Sequence, residues 1–296
     1  MALGRDIIDA IIREHSYCPI NGDVLLVGPQ TMAMSRHEVM ELVHNNGVNV
    51  GALREQSISG SEDSIGCTEF FTLLGANSVL TLDSREGSAD VVHNLGIPIP
   101  DGLEASADFI VDAGSITNIF SPVAALRNYA SLLRNGGRLL AINNLSSHYD
   151  PYSTPSALWY LDYFVVNRFA DCKVYVLVYE QDRPSNAFCV NIECLLDPKR
   201  EVRSFLSSRE MAIVLFAEKS AKSTIHETPV HPEWRSPTEW DNYWRGLERI
   251  KRSERPHLVR SRGHMNFRDV RGGYLFMKKD FAAVEPPEAA READGN

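Results

Sequence analysis

The chain has 296 residues, 44% of them hydrophobic, which suffices for one large α/β domain with appendages or for two small domains. Its formal charge of -9 argues against a dedicated nucleic-acid binder, because phosphate contacts supply most of the affinity such proteins have. No apolar run is long enough to span a bilayer and Met1 to Ile8 is too polar for a signal peptide, so the expected location is cytoplasmic and no membrane partner is expected. The cysteines Cys18, Cys67, Cys172, Cys189 and Cys194 are scattered without a C-x-x-C pair, which indicates neither a metal site nor a disulfide framework.

Ile7, Ile8, Ile11 and Ile12 recur at helical spacing and predict an amphipathic helix over 4–15 that lies against a sheet. The run Val24 to Val27 before Gly28 predicts the first strand. Ser35 with Glu38 is a capping-box pattern opening a helix with Val39, Leu42 and Val43, and Asn45, Asn46 and Gly47 stop it. Gly51 to Ser64 is polar, lacks a period and predicts a mobile loop. Phe70, Phe71, Leu73 and Leu74 belong to a helix closed by Gly75. Strands follow at Ser78 to Leu82, ending in Asp83, at Asp90 to His93, and at Asp108 to Val111. Ser121 and Pro122 give an N-cap and first-turn proline to a helix with Ala125, Leu126, Tyr129 and Leu133. Asn135, Gly136 and Gly137 are expected to end it before a strand at Arg138 to Ile142.

Short apolar runs alternating with helical patterns predict a doubly wound, mostly parallel, Rossmann-like α/β sheet. The runs Val174 to Tyr179, Phe188 to Leu195 and Ala212 to Phe216 finish it, at least one of them antiparallel. From 233 to 280 the composition turns basic, twelve Lys/Arg against seven Asp/Glu, with Trp234, Trp240 and Trp244. Ser236, Pro237 and Glu239 start a helix there with Trp240, Trp244, Leu247 and Ile250 on one stripe. The expected organisation is a domain over 1–220, a basic aromatic accessory segment over 221–280 and a disordered tail over 281–296. The segment 233–280 is either an accessory helix packed on the main domain or a surface for a protein partner or a second copy of the chain.

In an open α/β sheet ligands bind at the carboxyl ends of the strands. Here those ends carry Gly28, Pro29, Gln30 and Thr31; Asp83 and Ser84; Asn94; Asp112, Ala113, Gly114 and Ser115; and Asn143 and Asn144. Small and polar residues gather at all five. A carboxylate closing the second strand is suited to hold a ribose by its two hydroxyls, and Asp83 stands there. The first turn, however, has one glycine where a dinucleotide fingerprint has three, and Pro29 has no N–H to offer a phosphate.

The series "VLLVG", "VLTLDS", "ADVVHNLGIPIP" and "ADFIVDAGSITNIFSPVAALRNYASLLRNGGRLLAI" resembles the core of class I S-adenosylmethionine-dependent methyltransferases, over roughly residues 20 to 145. "VGPQT" matches a bacterial group whose first turn reads Gly-x-Gln-Thr. The resemblance implies S-adenosyl-L-methionine as cofactor, which carries no phosphate and so needs no pyrophosphate cradle. It implies that Gly28 and Pro29 let the methionine portion approach, and that Gln30 or Thr31 bonds its ammonium or carboxylate. Asp83, with Ser84 beside it, would hold the ribose and Asn94 the adenine edge, while Asp112, Ala113, Gly114 and Ser115 would line the wall beside the methyl. It also marks a departure: Thr117 and Asn118 stand where the family commonly shows Glu-His.

Methyl transfer depends mainly on positioning, and a base is needed only for a hydroxyl or a protonated amine. His148, in "NNLSSHYDPYS" after the fifth strand, is the candidate base, with an ordinary pKa near 6.5. The expected acceptor is a small molecule, sugar or amino-acid derivative. Trp159, Tyr160, Tyr163 and Phe164 either line its pocket or form a helix face packed on the sheet. The alternative from another class is a non-catalytic, methyltransferase-like scaffold subunit. A nicotinamide enzyme fits less well, since Tyr149 is followed four residues later by Ser153 and not by lysine.

Overall fold

A computed structural model describes residues 2–49, 63–145, 151–180, 183–191, 211–251 and 268–269. His148, most of the 51–64 loop, the 281–296 tail and nearly all of the basic segment after Lys251 lie outside the described residues. In chain order the elements are β1 (Ala2–Leu3), α1 (Arg5–Tyr17), β2 (Asp23–Val27), β3 (Thr31–Met32), α2 (Arg36–Asn45), α3 (Cys67–Leu74), β4 (Ser78–Asp83) and β5 (Val91–Val92). They continue with β6 (Ala107–Ala113), α4 (Pro122–Leu132), β7 (Leu133–Asn144), α5 (Ala157–Val166), β8 (Asp171–Glu180), β9 (Arg183–Asn191), β10 (Met211–Glu218), α6 (Pro237–Lys251) and β11 (Arg268–Asp269).

Among the described residues the main sheet runs β11-β9-β8-β10-β7-β6-β2-β4-β5. From β7 to β5 every neighbouring pair is parallel. β10 is antiparallel to both β7 and β8, and β9 is antiparallel to β8. This is the doubly wound, mostly parallel sheet with an antiparallel strand near its C-terminal end that the sequence predicts. Among the described residues no helix is long and apolar enough to cross a membrane.

Alternation along the strands divides the core in two. Leu25, Val27, Ile110, Leu139 and Ala141 face one way and pack under α4, α5 and α6. Val24, Leu26, Phe109, Val111, Leu140 and Ile142 face the other way, against Ile8, Ile11 and Ile12 of α1, Val39 and Val43 of α2, and Phe70 and Phe71 of α3. Helices on both faces explain why the central strands read as continuous apolar runs. The buried Tyr160, Tyr163 and Phe164 belong to the first of these layers, as the packed face of α5. Trp240, Tyr243, Leu247 and Ile250 of α6 enter the same layer, and Lys173 Nζ in β8 donates to the Ile250 carbonyl at 2.8 Å.

The helix starts follow local chemistry. The Ser35–Glu38 capping box forms in both directions, and Gly75 closes α3 in the left-handed region at φ 115°. Ser236 N–H donates to Glu239 Oε2 at 2.7 Å at the start of α6. Ser121, expected as a cap, makes no side-chain cap bond, so α4 begins on the fixed φ of Pro122 alone. The helix also ends at Leu132, short of the expected Asn135-Gly136-Gly137. The reason is that Ala105 and Ser106, just before β6, donate to the Ser131 and Leu132 carbonyls and draw the chain into the sheet early.

Gly137 lies in the resulting irregular start of β7. A Cβ there would meet the Arg134 carbonyl oxygen at 2.8 Å and the Ala107 carbonyl oxygen at 3.1 Å, both backbone. Gly137→Ala is therefore expected to destabilise the fold by about 1–3 kcal/mol, read as a lower midpoint in denaturant titration at unchanged slope.

Candidate functional site

The order β5-β4-β2-β6-β7 reverses between β2 and β6, so the crevice between their carboxyl ends is where this architecture leaves room for a ligand. A cleft of about 600 Å³ opens there. Gly28, Asp83, Ser84, Asn94 and Ser115 line it, together with His93, Ile97, Asn118, Ile119, Phe120 and Tyr152.

Gly28 has φ +73° and its amide donates to the Leu82 carbonyl at 2.8 Å. A side chain there would point between Ser115 Oγ, 3.4 Å from an added Cβ, and Asp83 Oδ2, at 3.9 Å. One glycine thus supplies both the left-handed turn and the open floor of the cleft. The rest of the turn is fastened away from it. Gln30 Nε2 and Ser115 Oγ both donate to the Val27 carbonyl, at 2.8 and 3.1 Å, and Cys67 Sγ lies 3.3 Å from the Gln30 carbonyl oxygen. Thr31 is in β3, paired in parallel with β1. Pro29 and Thr31 are exposed, and Pro29, Gln30 and Thr31 do not line the cleft.

Behind Ser115 stands Asp112, fully buried. Its carboxylate accepts the Ser115 amide at 2.6 Å, the Ile116 amide at 3.2 Å and the Tyr129 hydroxyl at 3.1 Å. Burial pushes its carboxyl above the ordinary range, opposed by these hydrogen bonds. Expected beside a ligand, Asp112 is instead a knot behind the wall, and Ala113 is buried with it. Gly114, at φ +100°, presents its carbonyl to Thr117 Oγ1 at 3.1 Å and Asn118 Nδ2 at 3.2 Å. The wall that faces the cleft is Ser115.

Asp83 is half-buried. Its Oδ1 accepts the Arg85 amide at 3.1 Å and the Ser84 hydroxyl at 3.4 Å, while no donor to Oδ2 occurs among the described residues. Asn94 Oδ1 accepts the Gly96 amide at 2.8 Å, which fixes that atom as oxygen and leaves the NH₂ end for the cleft. His93, between Val92 and Asn94, has Nε2 3.2 Å from the Ile97 carbonyl; since a carbonyl only accepts, Nε2 carries the proton.

The rim is apolar. Phe120 is 85% exposed and Tyr152 72%, their rings edge to face at 5.6 Å. Tyr152 stands on the loop after the fifth strand that the sequence places at this edge, whereas Ile119 and Phe120 are not among the residues it predicts for the site. The aromatic in "SITNIF" was the available signal, but its pairing with Tyr152 joins loops after two different strands.

No protein-family model and no curated protein matches the chain. Among solved structures it is similar to the YcgJ protein from Bacillus subtilis, at 14% identity over 72% of this chain and 98% of that one, with a TM-score of 0.32. It is also similar to a SAM-dependent methyltransferase from Aquifex aeolicus, at 11% identity over 71% and 88% of the two chains, TM-score 0.33. A third, a SAM-dependent methyltransferase from Archaeoglobus fulgidus, gives 12% identity over 73% and 94%, TM-score 0.34. The fold assignment rests on the order and direction of the strands.

Two aspartates near the carboxyl ends of β4 and β6 should respond very differently to truncation. Asp112→Ala leaves two amides and a hydroxyl unpartnered in the interior and is expected to cost about 2–5 kcal/mol of stability. Asp83→Ala, at an open edge, is expected to change stability by no more than about 0.5 kcal/mol. Chemical denaturation of the two variants side by side checks the contrast.

Proposed function

We propose that the cleft binds S-adenosyl-L-methionine and that the chain transfers a methyl group to an oxygen or nitrogen of a small-molecule acceptor, of sugar or amino-acid-derived type. The observation that carries this reading is the Asp83 carboxylate with Oδ2 open, beside Gly28, at the point where strand order reverses. Two lone pairs on an oxygen without a donor suit a ribose diol. The donor set fits this cofactor better than a dinucleotide, because Pro29 interrupts the amides a pyrophosphate would require.

When bound, the cofactor supplies an electrophilic methyl on a sulfonium. The protein's share is placement: Asp83 for the ribose, the Asn94 amide for the base, and the open floor at Gly28 with Ser115 for the amino-acid portion. In-line displacement disperses charge and demands little acid–base help, so holding an acceptor in line is the main task left to the rim. For a hydroxyl or protonated amine, His148 is the proposed base.

A second reading, ligand binding without transfer, is favoured by one observation. Thr117 and Asn118 both donate to the Gly114 carbonyl, so the positions beside Ser115 hold the turn and offer no proton acceptor to the cleft.

Calorimetric titration with S-adenosylmethionine and with its demethylated product tests the first reading. Binding is expected, weakened about tenfold or more by Asp83→Ala, since bonds to a charged acceptor contribute about 1.5–3 kcal/mol. Absence of binding to either compound at millimolar concentration would sink it. Once an acceptor is in hand, His148→Gln should lower turnover while leaving cofactor affinity unchanged; unaltered turnover would remove His148 from the mechanism.

A further inference from the structure

We propose that a second cavity, on the flank of α5 at the other edge of the sheet from the cleft, binds a phosphorylated small molecule through Arg168 and Arg245. The cavity measures about 480 Å³ and is walled by the C-terminal end of α5, the 227–235 segment and one face of α6. This size is ordinary for a metabolite site. Its place in the fold follows from the connections. α5 starts after the carboxyl end of β7 and runs back, so that Ala170 donates to the Glu218 carbonyl and Gly136, at the start of β7, to that of Lys219. The end of α5 therefore lies at the amino edge of the parallel strands.

Four arginines, Arg168, Arg235, Arg245 and Arg249, and two glutamates, Glu227 and Glu239, are among the residues that line this cavity. Glu239 Oε2 is occupied by the Ser236 amide at the start of α6. Arg249 is spent on structure, its Nε and Nη2 donating to the Phe169 and Val165 carbonyls at 3.4 and 3.3 Å. Burial, and then the nearby charge of Arg168, lower the pKa of Arg249, so these two cations stand close enough to repel.

Among the described residues neither Arg168 nor Arg245 has a carboxylate partner. Arg235 supports the wall from inside: it is 9% exposed, lies over the Trp240 and Tyr243 rings at 4.8 and 3.9 Å, donates through Nε to the Val230 carbonyl at 2.8 Å and pairs through Nη2 with Asp162. Burial pushes the Asp162 carboxyl up to about 6 in spite of the adjoining guanidinium.

Backbone conformation points the same way. Arg168 has φ 58°, a left-handed conformation that glycine or asparagine adopts at lower cost at a helix end, and here it carries the longest cation available. The wall it completes is rigid, because Gly246 of α6 sits so close to α5 that a Cβ there would meet Val165 Cγ1 at 2.8 Å. Two arginines without a carboxylate partner among the described residues, Arg168 and Arg245, on the lining of one cavity suit a dianionic phosphoryl group, which accepts several N–H bonds at once. The Glu227 carboxylate and the Asn242 and Thr228 side chains of the same lining can serve hydroxyls on the phosphorylated molecule.

Inorganic pyrophosphate is the probe, titrated calorimetrically into the full chain at constant ionic strength set with sodium chloride. Saturable binding is expected, weakened about tenfold or more in each of Arg245→Ala and Arg168→Gly. Arg168→Gly relieves the left-handed residue and keeps the Arg168 carbonyl that accepts the Ser220 and Ser223 hydroxyls, so its melting temperature should hold or rise while affinity falls. S-adenosylmethionine binding in both variants should match the wild type. No binding to pyrophosphate, binding unchanged in both variants, or an arginine-dependent preference for a single-stranded oligonucleotide over pyrophosphate would each overturn the proposal.

Discussion

One buried carboxylate organises the open edge of this sheet. Asp112, one residue before the end of β6, lies in the interior and gathers the amides of the next turn and the hydroxyl of Tyr129 on α4. Removing a carboxylate from water is costly unless donors replace its hydration, and here three do. The same bonds set the direction in which the chain leaves the strand, and so put Ser115 next to Gly28. The crevice at the strand-order reversal keeps its shape because this turn cannot relax into it.

The opposite wall is held by a different device. The N-terminal residues pair in parallel with Thr31 and Met32, and the Ala33 amide donates to the Leu3 carbonyl at 3.1 Å. With Gln30 and Ser115 sharing the Val27 carbonyl, the turn after β2 is anchored from both sides. These bonds hold the turn without further glycines, and Pro29, which has no N–H to donate, lies on its exposed side.

Much of this was legible in the sequence, because period-two alternation, capping boxes and glycine stops are local. The strands ending at Val27 and Asp83, the Ser35 cap and the Gly75 stop are of that kind. What escaped is set by long-range bonds. The early end of α4 depends on amides of Ala105 and Ser106, which precede it in the chain, and nothing in "LLRNGG" signals them. Asp112 looked like a cleft residue because it ends a strand at the right edge; only the depth of that strand in the sheet turns its carboxylate inward. The Phe120–Tyr152 rim likewise needs two loops to meet.

The Asn94 amide shows how one local bond sets the chemistry a cleft can address. An acidic side chain after the third parallel strand could only accept, and would suit an exocyclic amino group. Asn94 has its oxygen tied to the Gly96 amide in a tight turn, where an added Cβ on Gly96 would come within 3.0 Å of that oxygen. The end turned outward is therefore a donor, complementary to a ring nitrogen with a lone pair. The buried Leu95 and the apolar Ile97 and Ile119 line the same cleft, so this donor stands among apolar side chains, where a hydrogen bond is worth more than in open water.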